Sequence, residues 1–516
     1  MTDPHYDVVI VGGGHNGLVA AAYLARAGRT VQVLERLDHV GGAAVSAHAF
    51  DGVDARLSRY SYLVSLLPRR IVEDLGARIR LTRRRFASYT PDPATGGQTG
   101  LLIGPQSSFA AVGAAGDAPG FAEFYRRCGL ITAKIWPTLL QPLRSRAEMR
   151  EHVLAGQGPE AAASWEALTE RPIGEAITAA VNSDLVRGVI ATDALIGTFA
   201  GTDDPALHQN ICLLYHLVGG EWEVPVGGMG AVTGGLAAAA AGFGAEIVTG
   251  AEVYRIVADG EVRYRLDGTA RRTQARHVLA NVTPAVLAEL LGEPEPELAQ
   301  GAQVKVNLML RRLPRLRDTS ITPEQAFGGT FHVNETFRQL DAAYHAAVHG
   351  TVPDPLPCEI YCHSLTDPSI LSDELRTAGA HTLTVFGLHT PHSLACGDPD
   401  RMRDRLTSAV LASLNSVLDE PIQDVIMEDS AGRLCIETKT TVDLDRALGM
   451  TAGNIFHGAL AWPFVEEDEP METAAQRWGV ATGHNRILLC GSGSRRGGAV
   501  SGIGGHNAAM ALLAGR

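Results

Sequence analysis

Lysine is the residue type that this sequence most clearly lacks. Only Lys134, Lys305 and Lys439 are lysines among 44 basic residues, and 57 acidic residues leave a net charge of −13. A nucleic-acid partner requires a cationic face that releases counterions from the phosphate backbone. The composition therefore argues against nucleic acid as a partner, and it makes each of the three lysines a candidate for a specific role.

Cysteines are few and long apolar runs are missing. The seven cysteines are odd in number and scattered, and none forms a CxxC pair, which argues against a disulfide framework and against a redox disulfide. An apolar run begins at Tyr6 and leaves no room for a signal peptide. Glycines interrupt the most apolar long stretch, 231–248, so it is a poor membrane span. We expect a cytoplasmic protein.

What the sequence does contain is enough apolar material for a large core. The chain has 516 residues, of which 45% are hydrophobic and 20% charged. This length exceeds one typical domain, and the balance is that of a globular protein. We therefore expect at least two packed units.

The first 35 residues have the pattern of a nucleotide-binding βαβ unit. Apolar strands are predicted at 6–11 and 30–35, with a helix over 17–27 between them. The turn contains GxGxxG at Gly12, Gly14 and Gly17, which lets backbone N–H groups approach a pyrophosphate. Glu35 ends the second strand, where a carboxylate can bind ribose hydroxyls and disfavours a 2′-phosphate. The sequence predicts a dinucleotide site that does not prefer NADP.

A Gly41-Gly42 pair follows Glu35, and with it the sequence resembles the flavin amine oxidase and phytoene desaturase superfamily. The resemblance implies FAD as the cofactor. Many amine-oxidase-like members place arginine after this pair, whereas this chain has Ala43, which favours the desaturase and isomerase branch.

The C-terminal segment also has the pattern of a strand, a glycine-rich loop and a helix. A short apolar run at 487–490 leads into a glycine-rich loop and an alanine-rich helix, as in the C-terminal FAD segment of that superfamily. The resemblance also places Val253 beside the adenine. The full set of residues that it assigns to FAD is Gly12, Gly14, Asn16, Gly17, Glu35, Arg36, Gly41, Gly42, Ala43, Ala44, Val253, Gly491, Ser492, Gly498, Val500, Gly502 and Ile503.

The predicted fold class is α/β, with a discontinuous, glutathione-reductase-like Rossmann domain for FAD and an inserted α+β substrate domain. We assign residues 1–75, 223–300 and 471–516 to the FAD domain, and 76–222 and 301–470 to the substrate domain. The glycines of 227–230 lack the strands of a second Rossmann unit. Electrons are therefore expected to leave for oxygen, a quinone or another diffusible acceptor.

Several inner motifs narrow the resemblance. The stretches 54–68, 221–230, 359–369 and 453–458 resemble the pyridine nucleotide-disulfide oxidoreductase domain-containing protein 2 group, a phytoene-desaturase-related subfamily. Arg495-Arg496 departs from the His-Pro-like pair expected there. Catalytic residues stay undetermined, and the candidates for the flavin side are Lys305, His457, Trp222 and Tyr62.

Other chemistry has little support in the sequence. His381, His389 and His392 lie close together but without a carboxylate or cysteine at ligand spacing, so no metal site is predicted. The sequence also shows no paired carboxylates and no hydrolase triad.

The leading hypothesis is an FAD-dependent oxidoreductase that removes or shuttles a hydride on an apolar, lipid- or isoprenoid-like substrate. Transient contact with a membrane would accompany such a substrate. The alternatives are a flavin amine oxidase, and a flavin-bearing interaction protein whose redox activity is vestigial.

Overall fold

Two seven-stranded sheets organise the protein in a computed structural model that describes residues 5–514. The strands are β1 (His5–Val11), β2 (Val31–Leu34), β3 (Ser46–His48), β4 (Arg56–Ser58), β5 (Leu81–Thr82), β6 (Ser88–Pro91), β7 (Gly100–Ile103), β8 (Val224–Pro225), β9 (Glu246–Val248), β10 (Ala251–Ile256), β11 (Glu261–Leu266), β12 (Thr269–Ala280), β13 (Val304–Leu310), β14 (Thr330–Val333), β15 (Cys358–Tyr361), β16 (His381–Gly387), β17 (Ile436–Lys439) and β18 (Ile487–Leu489).

Helices cover both sheets. They are α1 (His15–Arg26), α2 (Arg69–Leu75), α3 (Ala118–Ile135), α4 (Arg146–Leu154), α5 (Pro159–Thr169), α6 (Ile173–Ala180), α7 (Asp184–Thr192), α8 (His208–Val218), α9 (Met229–Gly242), α10 (Pro284–Leu291), α11 (Pro323–Ala326), α12 (Phe337–Val348), α13 (His363–Thr366), α14 (Asp373–Thr377), α15 (His392–Ala395), α16 (Pro399–Asn415), α17 (Thr441–Leu448), α18 (Ala474–Arg477) and α19 (Ile503–Ala514). Between residues 5 and 514, no helix has the length and apolar composition that crossing a bilayer requires.

The first sheet has a parallel Rossmann core. β1 pairs in parallel with β2 on one side and β12 on the other, while β9 extends the β2 edge and β18 the β12 edge. Residues 8–11 of β1 and all of β2 are buried, because α1, α9 and α19 pack on one face of this core and β10, β11 and α10 pack on the other. β12 is long, and its first half forms an antiparallel ribbon with β11 and β10. The sheet thus draws on three separated parts of the chain.

The elements predicted for this sheet form close to their expected positions. The first helix begins at His15, two residues before the predicted start, because Gly14 already serves as its N-cap. α19 corresponds to the predicted alanine-rich helix at the end of the chain, and both α19 and α9 pack against α1. The domain boundaries at 75, 223, 300 and 471 stay a prediction.

The second sheet has the order β17-β13-β16-β15-β14-β6-β7 and is antiparallel except between β14 and β6. Because side chains alternate along a strand, Phe331 and Val333 pack into an apolar core on one face, and His332 between them points to the other. That second face also carries Lys305 and Glu359. It looks toward the first sheet and forms the wall of the site described next.

Candidate functional site

The glycine turn after β1 is built for close backbone approach. Gly12 has a φ of 99°, and a Cβ there would lie 2.7 Å from the Asn281 carbonyl oxygen. A Cβ on Gly17 would lie 2.4 Å from the Gly12 carbonyl oxygen, so both positions require glycine. α1 begins after Gly14 and no side chain caps it. Its first N–H groups and the positive end of its dipole therefore suit an anionic ligand.

Glu35 lies where β2 ends, beside this turn. Its carboxylate accepts hydrogen bonds from the backbone N–H of Gly13 at 2.7 Å and of Leu37 at 2.8 Å. The side chain is mostly buried but contributes to a cavity wall. The carboxylate thus holds the turn in shape, and it keeps acceptor capacity for the hydroxyls of a ligand.

The C-terminal segment closes the same site. The His15 Nε2 lies 3.0 Å from the Ala499 carbonyl oxygen, and the Asn16 amide contacts the Ser492 hydroxyl at 3.5 Å. α19 crosses α1 so closely that a Cβ on Gly505 would lie 1.9 Å from the Asn16 carbonyl oxygen. The two ends of the chain therefore form one wall.

A single cavity of about 1420 Å³ runs from the glycine turn to the inner face of the second sheet. The residues of the predicted FAD set that line it are Gly12, Gly14, Glu35, Arg36, Gly42, Ala43, Val253, Ser492 and Val500. The remaining members of the set do not line it, and these are Asn16, Gly17, Gly41, Ala44, Gly491, Gly498, Gly502 and Ile503.

Those other residues lie behind the lining and shape it. Gly41 forms a parallel bridge with Gly14, and the Ala44 carbonyl accepts a hydrogen bond from Thr233 of α9. A Cβ on Gly498 would come within 2.8 Å of the Leu460 side chain. Arg496, where the sequence departs from the superfamily, instead binds three carbonyl groups of the buried interior.

The four flavin-side candidates all line the cavity. Lys305 donates hydrogen bonds to the Ser58 carbonyl at 2.9 Å and the Tyr60 carbonyl at 2.5 Å, and its ammonium lies 4.9 Å from the centre of the Tyr62 ring. Burial lowers the pKa of Lys305 to about 7. This lysine can therefore change protonation near neutral pH.

His457 and Trp222 lie at different parts of the wall. Burial lowers the pKa of His457 to about 4, and its Nδ1 has no hydrogen-bond partner among residues 5–514. Trp222 donates its indole N–H to the His216 carbonyl, and its own carbonyl accepts a hydrogen bond from Arg84. His457 therefore offers a free nitrogen near His15, whereas Trp222 fixes a polar corner of the cavity.

No pattern in the sequence indicated that polar corner. Arg84, Asp193, His332 and Glu359 line it, and Glu335 lies directly behind. The absence of paired carboxylates, expected from the sequence, is wrong, because Glu335 and Glu359 come together with His332 within 4.8 Å.

His332, Glu335 and Glu359 do not follow a ligand spacing in the sequence, so no motif indicates this group. His332 faces Glu359 across β14 and β15, a register that only the folded sheet defines. A charged residue inside an otherwise buried strand, as at Glu359, was the one available signal.

The electrostatics of this corner depend on burial. Burial raises the pKa of Glu359 to about 7 and lowers that of His332 to about 3. Asp193 accepts a hydrogen bond from Tyr125 at 2.7 Å and lies 3.2 Å from His216. A mainly apolar cavity thus ends in a few convergent polar groups, which is typical of a substrate site.

Comparisons with known proteins agree with this architecture. A family model described as an NAD(P)-binding Rossmann-like domain matches residues 10–70. An uncharacterized protein of Mycobacterium tuberculosis is 66% identical, with 99% of this chain and 98% of that protein aligned. The pyridine nucleotide-disulfide oxidoreductase domain-containing protein 2 of Rattus norvegicus is 30% identical, with 98% of this chain and 93% of that protein aligned.

Among solved structures, cyclohexylamine oxidase from Brevibacterium oxydans superposes with a TM-score of 0.55 and 16% identity, covering 99% of this chain and 100% of that one. At this identity the likeness concerns the fold. It confirms the predicted fold class, a Rossmann-like domain combined with a second α+β unit.

Proposed function

Since the chain belongs to the family of the pyridine nucleotide-disulfide oxidoreductase domain-containing protein 2, we propose that it is an FAD-dependent oxidoreductase acting on a mainly apolar substrate. Its place in the FAD-type oxidoreductase superfamily follows from the family and the fold. The observation that carries the proposal is the continuous cavity between the glycine turn and the polar corner. Its volume of about 1420 Å³ exceeds the roughly 300–1,000 Å³ of a usual single-ligand pocket.

The residues at the glycine turn fit FAD. The uncapped start of α1 offers N–H groups to a pyrophosphate, and Glu35 offers oxygen atoms to ribose hydroxyls. Val253, Ser492 and Val500 complete the wall from two other parts of the chain. When bound, FAD supplies the acceptor for a hydride.

The rest of the cavity would hold the substrate. Apolar side chains such as Leu63, Phe121 and Ile196 line it and would exclude water from a carbon chain. Lys305, with a pKa of about 7, takes up or releases a proton at Nζ. Oxygen, a quinone or another diffusible acceptor would then remove the electrons.

An amine oxidase is the second candidate. Asp193 and Glu359 place acidic groups on the cavity wall, and Tyr62 and Tyr361 form an aromatic pair with ring centres 4.6 Å apart. Carboxylates and aromatic faces both attract a cationic amine. Arg84 in the same corner opposes this attraction.

The deciding experiment is anaerobic reduction of the purified yellow protein by lipid extracts and, separately, by a panel of amines. We expect lipids to bleach the visible flavin band, with a slower rate in Lys305→Met. Bleaching by amines alone would favour the second candidate. A coloured protein that neither class reduces would indicate vestigial activity, and a protein that stays colourless after FAD addition would contradict the cofactor.

A further inference from the structure

We propose that His332, Glu335 and Glu359 form a binding site for a divalent first-row transition-metal ion, with Zn²⁺ or Mn²⁺ as the best-suited ions. The three side chains are buried, and one ligand atom from each lies within 4.8 Å of the others. The proposal does not depend on the cofactor or on the substrate class.

Glu335 provides the observation that points to a ligand. Its side chain is 1% exposed, yet neither carboxylate oxygen has a hydrogen-bond partner among residues 5–514. The hydroxyl of Thr192, which lies near both carboxylates, donates to Glu359 at 3.0 Å. A buried carboxylate without a donor is strongly disfavoured, so a bound cation is the partner that the geometry leaves open for it.

The other two ligands are already oriented. The Nδ1 of His332 lies 2.9 Å from the Thr90 hydroxyl, so Nε2 is the ring nitrogen that would bind the ion. Glu359 accepts hydrogen bonds from Thr192 on one oxygen and from Tyr361 on the other. Metal-binding histidines and carboxylates typically have such outer partners, which fix the ring and the carboxylate in place.

The backbone also holds the group rigidly. Asn334 has a φ of 59° and turns the chain so that Glu335 follows β14 directly. α7 packs against this turn, and a Cβ on Gly188 would lie 1.9 Å from the Glu335 carbonyl oxygen. Two ligands bound at about 2.1 Å to one ion lie roughly 3–4 Å apart. Small rotations of the glutamate side chains would bring the ligand atoms, now within 4.8 Å of one another, to this distance.

The corner is rich in acidic groups. Asp193 and Glu359 line the cavity there, and Glu335 lies behind them. The guanidinium of Arg84 lines the same cavity and offsets part of their negative charge. A divalent cation bound between His332 and the two glutamates would therefore be attracted by several carboxyl groups.

The ligand types select the ion. One imidazole nitrogen with two carboxylate oxygens suits Zn²⁺ or Mn²⁺ better than Mg²⁺ or Ca²⁺, which take oxygen ligands. Three protein ligands leave a coordination position open. His332 and Glu359 line the cavity, so this position would face a ligand with an oxygen or nitrogen atom at its polar end.

The test uses the full-length, tag-free protein as purified, then stripped with EDTA. Elemental analysis of the purified protein should find about one Zn or Mn per chain. Calorimetric titration of the stripped protein with Zn²⁺ should show binding of about one ion per chain. Glu335→Gln keeps the shape and removes one charge, and we expect it to weaken Zn²⁺ binding at least about tenfold. Mn²⁺ titration followed by electron paramagnetic resonance should show the same loss of affinity in Glu335→Gln.

Asp318→Asn is the matched control. Asp318 is equally buried, but its carboxylate binds Tyr89 and Ser320 on the opposite face of the sheet, and its change should leave Zn²⁺ binding intact. Glu359→Gln is a second variant in case Glu335→Gln does not fold. Absence of metal binding, or equal binding by the wild type and both glutamate variants, would overturn the proposal.

Discussion

Lys305 keeps a titratable amine inside the protein, with 3% of its surface exposed. Desolvation is the main cause of its low pKa, and Glu437 opposes the shift. Because the unfolded chain holds this proton up to about pH 10.4, the unfolded state binds more protons between pH 7 and that value. Stability contributed by this site is therefore lowest below pH 7 and rises as the pH increases.

The Lys305→Met variant should remove this pH dependence. Between pH 7 and pH 9 the wild-type free energy of unfolding should rise by up to about 1.4 kcal/mol per pH unit relative to the variant. Denaturant titrations of both proteins across that range measure the difference. Parallel pH profiles would contradict a depressed pKa in the folded state.

Glu35→Gln tests the proposed contact between the carboxylate at the end of β2 and the ribose of FAD. Hydrogen bonds to a charged acceptor contribute roughly 1.5–3 kcal/mol, so FAD affinity should fall about tenfold or more. Glu246→Gln on β9 makes the same change outside the cavity, where the carboxylate binds Tyr6 and Gln32, and it should retain FAD. Fluorescence titration of the two apoproteins with FAD compares their affinities. Equal FAD affinities would contradict a role of Glu35 in FAD binding.

Among the elements, the crossing of α1 and α19 is the tightest helix contact at the site. Gly505→Ala would place a methyl group against the Asn16 backbone, which no side-chain rotation can relieve. We expect a loss of roughly 1–3 kcal/mol in unfolding free energy and weaker retention of FAD.

Gly234→Ala, at an exposed position of α9, is the matched change within a helix. No heavy atom lies within 4 Å of its Cβ, so the variant should gain roughly 0.5–1 kcal/mol from helix propensity. Thermal and chemical unfolding measure both variants. A stabilised Gly505→Ala protein would show that the helices can move apart without cost.

The sequence predicted the elements around the glycine turn because they follow local rules. GxGxxG, the apolar strands and Glu35 lie within one short stretch, and each has its own physical signature. The pairing of His332 with Glu359, and the approach of Thr192 from α7, depend on sheet register and helix packing. No local pattern encodes those contacts, so the polar corner could not be predicted.

At the scale of the whole molecule, one ligand would touch segments from the start, middle and end of the chain. FAD at about 100 times its Kd should therefore add about 2.7 kcal/mol to the stability of the apoprotein and raise its Tm. NADP⁺ at the same concentration should have little effect, because Glu35 disfavours a 2′-phosphate. Equal shifts with both ligands, measured by thermal scanning, would contradict the assigned specificity.

The pairing of β1 with β12, and of β12 with β18, also sets an order for biogenesis. During translation the nascent glycine turn leaves the ribosome long before its partner at residues 269–280, and longer still before 487–514. The cavity is therefore complete only after synthesis of α19, so insertion of the proposed FAD would be a late maturation step.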